Sequence, residues 1–167
     1  MTPEPAEAQP TSPKPAAILM YLTYAVGAAG VFIGFITVGK SPASLTLAAV
    51  LAVGLGGGLS FLRHSIFHRS DAVRMGWDSG QRNNFQIEVG LANLAWALLA
   101  LGAVVFDWGL KVEASSFLVF GFYLVAVSVM LVSSRGQGPS RPWPATIGMV
   151  AFGIMLCIVG VLGLQAA

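Results

Sequence analysis

The chain has 167 residues, 56% of them hydrophobic and 10% charged, with a formal net charge of +2. Soluble domains carry about 25% charged residues, because water must wet their surface; this composition therefore excludes an ordinary soluble domain and points to lipid as the solvent. The small charge, with no basic stripe, gives no ground for nucleic-acid binding, and the single cysteine, Cys157, excludes an internal disulfide or a thiolate metal cluster built from this chain alone.

Residues 1–15, MTPEPAEAQPTSPKP, hold five prolines and no apolar cluster, so they are expected to form a disordered tail. They lack the basic n-region of a signal peptide, and the apolar run that follows is too long for an h-region. Five apolar stretches follow, over residues 16–38, 45–62, 85–106, 116–133 and 144–164. Each has the length needed to cross about 30 Å of hydrocarbon. The predicted fold is all-α: one integral membrane domain over residues 16–167, a bundle of five transmembrane helices. Pro144 suits a first helical turn, where its missing N–H leaves no bond unmade. Gly54, Gly56, Gly57 and Gly58 make the second stretch the weakest helix former and invite a kink. Gly30 with Gly34, and Gly54 with Gly58, have the small-xxx-small spacing that lets helices approach closely in lipid. Cys157 lies in an apolar run and reads as a small hydrophobe.

The loops set the orientation. Lys14, Arg63, Arg69, Arg74, Arg82, Arg135 and Arg141 fall on one side of the membrane, and only Lys40 and Lys111 on the other. The positive-inside rule then places the N-terminus and the long second loop in the cytoplasm, and five crossings place the C-terminus outside.

Polar residues gather around that second loop. It and its flanks carry His64, His68, Asp71, Trp77, Gln86, Glu88 and Asn93, the candidate binding or structural cluster. Ser70 or Asp71 is expected to cap a short helix over residues 72–75, with Gly76 ending it and Trp77 at headgroup level, so that the loop lies along the membrane face. Glu88 is shallow and is expected to pair with Arg63, His64, His68 or Arg74. Asn93 lies near mid-membrane, where an amide needs a partner on a neighbouring helix. Gln86, Gly90, Asn93 and Ala97 share one helix face and Glu88 the opposite one. Polar groups on two faces predict a central place for the third helix. His64 and His68, four residues apart, have the spacing of a helical metal site, with Asp71 and Glu88 as candidate oxygen ligands.

The stretch from His64 to Trp96 resembles a family of uncharacterised bacterial integral membrane proteins, classed as a domain of unknown function. The resemblance is carried by His64 or His68, Asp71 with Ala72, Gly76 with Trp77, and above all by the run FQIEVGLANLAW from Phe85 to Trp96. Family members have a serine-proline where this chain has Asn83 and Asn84. Many also have a histidine near the end of a later helix, where residues 133–136 have none. The resemblance implies a bacterial inner-membrane location and brings no activity or cofactor.

No phosphate loop, nucleophile motif or haem-attachment sequence is present. A non-enzymatic accessory or small-molecule-handling protein is therefore the leading expectation. Two alternatives stay open. One is a membrane enzyme or metal- or cofactor-binding protein using His64, His68, Asp71 and Glu88. The other is an oligomeric transporter or channel with Glu88 and Asn93 on its path, since ionisable residues within a membrane are functional candidates. The lipid bilayer is the expected partner, with a second copy or another membrane subunit left open.

Overall fold

The computed structural model of the protein describes residues 11–133 and 143–167. The predicted tail falls mostly outside these residues, as do Arg135 and Arg141. Five helices are long and apolar enough to cross a membrane: α1, Lys14–Val38; α2, Thr46–Ile66; α4, Asn84–Val105; α5, Leu110–Ser133; and α6, Trp143–Ala166. Between α2 and α4 lies a short sixth helix, α3, His68–Met75. There are no strands among the described residues.

The helices extend past the apolar runs that mark them. Helix α2 continues to Ile66, which brings Arg63 and His64 onto its last turn. Helix α5 starts at Leu110, six residues before the apolar run, and so includes Lys111 and Glu113. Hydropathy registers the lipid-facing portion of a helix, whereas backbone hydrogen bonding continues through polar residues at the membrane boundary. Pro144 does lie in the first turn of α6. The glycines of α2 do not break it. The helix accommodates them with two π-helical stretches, Val50–Leu55 and Leu62–Ile66, on either side of Gly56–Phe61. A π turn relieves local crowding without leaving backbone groups unpaired, and such turns recur at functional sites.

Helix α2, not α4, is the central one. Half of its apolar window is buried, against 28% for each of the other four. It packs against α1, α4 and α5, while α4 packs chiefly on α2 and α5, and α6 on α5 and α1. The physical reason is side-chain size. Ala48, Ala49, Ala52 and Val53 of α2 are fully buried, and small residues let three neighbours approach one axis. Gly30 of α1 sits directly on Ala52, where any Cβ would clash with the α2 backbone. A Cβ at Gly57 would lie 2.7 Å from the Asn93 carbonyl oxygen of α4. Of the two glycine spacings, Gly30 with Gly34 is a packing surface. In the other, Gly54 meets Leu101 whereas Gly58 has open space around it. The apolar core joins this part of α2 to Phe117 and Phe120 of α5 and Leu156 and Val159 of α6. Outward faces carry large apolar side chains such as Phe32, Leu98, Phe122 and Ile154, which lipid solvates at no cost.

Candidate functional site

The polar residues assemble where α2 ends, α3 crosses and α4 begins. The chain turns at Phe67, enters α3, and leaves it at Gly76, whose φ of 77° is the left-handed conformation that ends helices. The Trp77 N–H closes that end on the Ala72 carbonyl at 3.1 Å. Gly76 thus ends the short helix as the sequence suggests. Its start differs: the helix begins at His68, and neither Ser70 nor Asp71 caps it. Both side chains make long-range bonds instead. Ser70 Oγ accepts from the Ala16 N–H at 3.2 Å and donates to the Ser12 carbonyl at 2.7 Å, tying α3 to the start of α1. Helix α3 therefore lies across one end of the bundle. Arg69 and Asp78, 3.7 Å apart, brace the loop that follows it.

Asp71 is the hub. It is 0% exposed. Arg74 donates to its Oδ1 through Nε at 3.0 Å and Nη2 at 2.8 Å. Gln86 Nε2 donates to its Oδ2 at 3.0 Å. His64 Nδ1 lies 2.9 Å from the same Oδ2, and Arg63 Nε 4.0 Å from Oδ1. Burial opposes ionisation of this carboxyl. The hydrogen bond from His64, the nearby Arg63 charge and the bond from Arg74 outweigh it and hold Asp71 well below the usual carboxylate range. The neighbours also fix the histidine. Arg63 Nη2 is 2.8 Å from His64 Nε2, and a guanidinium can only donate, so Nε2 accepts and the proton sits on Nδ1, facing Asp71. His64 is thereby a neutral link between a cation and an anion.

The other candidates divide. Gln86 is 5% exposed and Asn93 3% exposed, both facing inward. Asn93 Nδ2 donates to the Val89 carbonyl of its own helix at 2.7 Å, and its side chain also meets Tyr123 of α5, supplying the neighbouring-helix contact that its depth requires. Glu88 requires a correction. It is exposed on the outward face of α4, with Leu91 and Leu98, and forms no ion pair among the described residues. Three of the four groups expected to pair with it, Arg63, His64 and Arg74, converge on Asp71 instead. Asp71 reaches them because α3 folds back over the end of α2, whereas Glu88 is turned away by the pitch of α4. The outward Glu88 also removes the argument that put α4 at the centre. His64 and His68, considered as metal ligands, are otherwise engaged. Both ring nitrogens of His64 have partners, His68 Nδ1 bonds the Ser65 carbonyl at 3.1 Å, and no three His, Cys, Asp or Glu side chains gather among the described residues.

Sequence reading missed several participants. Arg63, expected only as a partner for Glu88, is 8% exposed and sits beside Asp71 instead. Asn83 caps α4, its side chain accepting from the Gln86 N–H at 3.1 Å; an asparagine just before an apolar run is a legible signal for this. Tyr123 came from an apolar run with nothing to single it out.

A cavity of about 510 Å³ opens beside this cluster. One wall is polar, made by Ser60, Arg63, His64, Asp71, Arg74, Gln86 and Asn93 from α2, α3 and α4. The facing wall is apolar, made by Leu124, Val127, Met130 and Leu131 of α5 and Met149 of α6, with Tyr123 also in the lining. Trp77 and Phe85 join the lining. The volume lies in the range of small-molecule sites, which combine mostly apolar walls with a few convergent polar groups. An open groove at the other end of the bundle has Lys40 and Lys111 as its charged lining and no comparable buried network.

No curated protein and no solved structure shows detectable similarity to the chain. Residues 18–133, which run from the first turns of α1 to the end of α5 and contain every polar residue of the site, match a family of unknown function, and the chain belongs to that family, DUF6790.

Proposed function

We propose that the protein is a non-enzymatic, small-molecule-handling protein of the bacterial inner membrane, which takes its ligand into the cavity between the polar α2–α3–α4 corner and the apolar face of α5. The observation that carries this reading is the two-sided cavity: a buried, charge-bearing wall opposite an aliphatic one. Such a site suits a molecule with one polar edge and one apolar face. The His64–Asp71 pair has the contacts of a positioned structural unit, since each nitrogen and oxygen is already engaged by neighbours. Native mass spectrometry of the protein extracted in mild detergent tests the proposal. The wild type should carry a retained small molecule, and Val127→Phe, which narrows the cavity from its apolar wall, should retain less of it. Equal retention by both would overturn the assignment to this cavity.

The seven-to-two division of Lys and Arg between the two sides supports a cytoplasmic N-terminus and an external C-terminus. In that orientation the cavity opens toward the cytoplasmic leaflet. A C-terminal alkaline phosphatase fusion should be active and a C-terminal green fluorescent protein fusion dark; the reverse pattern with good expression of both would invert the topology.

A further inference from the structure

The carboxylate of the polar wall has little left to offer a ligand. Asp71 is 0% exposed, and its oxygens are met by Arg74, Gln86 and His64. Two neutral hydroxyls of the same cavity differ from it. Ser60 of α2 is 5% exposed and lines the cavity. Its hydroxyl makes no hydrogen bond among the described residues and is not one of the sealed polar atoms, so the small surface it keeps opens into the cavity. Tyr123 of α5 lines the cavity too. Its ring lies tilted against Trp96, the centroids 6.4 Å apart, and its oxygen meets the Asn93 amide. Amide nitrogen only donates, so the phenol oxygen accepts there, and its own proton has no acceptor among the described residues. Asn93 stands between the two hydroxyls. Its backbone oxygen lies 2.7 Å from where a Cβ on Gly57, one turn before Ser60, would sit, and its side chain reaches Tyr123. A buried hydroxyl has given up its water, and an acceptor on an entering molecule restores the lost bond. An ion would pay heavily for desolvation at this depth, whereas a carbonyl oxygen needs only such donors. From Tyr123 the aliphatic wall runs along α5 to Leu131, about 12 Å at 1.5 Å per residue.

We propose that the cavity binds an uncharged amphiphile by a carbonyl group, the carbonyl oxygen accepting from the Ser60 and Tyr123 hydroxyls and the apolar body lying along Leu124, Val127 and Met130. This rests on the reading that the cavity is a small-molecule site, and it names the class of ligand. Two sources present that chemistry: the acyl carbonyl of a neutral lipid and the ring carbonyl of a membrane quinone. In either case the aliphatic wall supplies most of the contact, and the two hydroxyls set specificity, because a molecule without an acceptor leaves them unpaired.

The test uses the full chain in detergent, titrated with defined probes added as mixed micelles while thermal unfolding is followed. The acyl arm compares 2-undecanone with undecane, which differ only in the carbonyl. The ring arm compares decylubiquinone with decylbenzene. The carbonyl compound of at least one arm should bind about tenfold more tightly than its comparator, as one hydrogen bond to a buried donor allows. The arm that shows the preference identifies the source. Ser60→Ala and Tyr123→Phe each remove one oxygen and leave the shape of the side chain. Each should reduce the preference, and the two together should bring the carbonyl compound down to the level of its comparator. Should the double variant fail to fold, either single variant still reads the preference. A preference that survives both deletions would overturn the proposal, as would decanoate at pH 8 binding more tightly than 2-undecanone, since the favoured ligand would then be an anion. If the carbonyl compounds bind no better than their comparators and Val127→Phe weakens them all, the cavity reading stands and this ligand class is wrong. If no probe binds, or Val127→Phe leaves every affinity unchanged, the cavity reading falls with it.

Discussion

The two walls of the cavity are held together by different physics. Helices α5 and α6 meet through small residues. A Cβ at Gly160 would lie 2.9 Å from the Ala114 carbonyl oxygen, and one at Gly121 would lie 2.8 Å from that of Gly153. Close backbone approach there gains dispersion contacts along the whole length of two helices, and nothing in it selects one ligand over another. The α2–α3–α4 corner is held by directional bonds that meet on one carboxylate. Removing a methyl from the first wall loosens it by degrees, whereas removing one partner from the second leaves a buried charge uncompensated. The polar corner is thus the part in which individual side chains are specified. Asp71 and Glu88 make the same point within that corner. The two carboxylates belong to neighbouring helices, but one is held by three hydrogen-bonding side chains with the Arg63 cation beside them and the other faces outward.

The largest effect is expected at the hub. Asp71→Asn should lower the stability of the detergent-solubilised protein by about 3 kcal/mol, because Arg74 and Arg63 lose their buried counter-charge. Thermal unfolding of the variant measures this, and a loss no greater than that of Glu88→Gln would dissolve the distinction between the corner and the rest of the surface. The pH dependence sharpens it. The folded-state value of Asp71 lies below its unfolded one, so its contribution is fully present above the unfolded value of about 3.9 and is lost as the pH falls from there through the folded value. The gap between wild type and Asp71→Asn should therefore hold steady from pH 7 to 5 and narrow only below about pH 4. A gap that widens as the pH falls through about 6 would mean that a charged His64, not the neutral link described above, carries the network.

The apolar wall should respond to bulk in place of charge. Gly160→Leu should cost about 2 kcal/mol by forcing α5 and α6 apart, with no change in the pH profile; a neutral result would show that the α5–α6 approach is not tight. Asn93→Leu should cost about 1 kcal/mol, the scale of hydrogen bonds between membrane helices, through its loss of Tyr123 and of its own-helix carbonyl. Unchanged or raised stability would remove Asn93 from the working wall. The smallest effect belongs to Glu88→Gln, within about 0.5 kcal/mol as for a surface substitution. A larger loss would reveal a partner for Glu88 in the assembled state, and crosslinking from that position would locate it.

The sequence by itself determined that the chain lives in a membrane, that five helices cross it, and which stretch holds its polar groups. These follow from one-dimensional quantities: the length of an apolar run against bilayer thickness, and the scarcity of charge. Gly76 as a helix end was legible as well, because a positive φ selects glycine from local geometry alone. The inward faces of Gln86 and Asn93 could also be read, since 3.6-residue periodicity places them together.

What the tertiary structure decided was which acid the cations meet and which helix the others surround. Sequence spacing ranks Asp71 and Glu88 nearly alike; helix spacing alone gives Asp71 its Arg74, but only the return of α3 over the end of α2 puts it within reach of Arg63, His64 and Gln86. The centrality of α2 was hidden for the opposite reason. Its alanines and glycines look featureless in a hydropathy profile, but small side chains gain their stabilisation from how closely neighbours can approach, and that is a property of pairs of helices that no single apolar stretch contains.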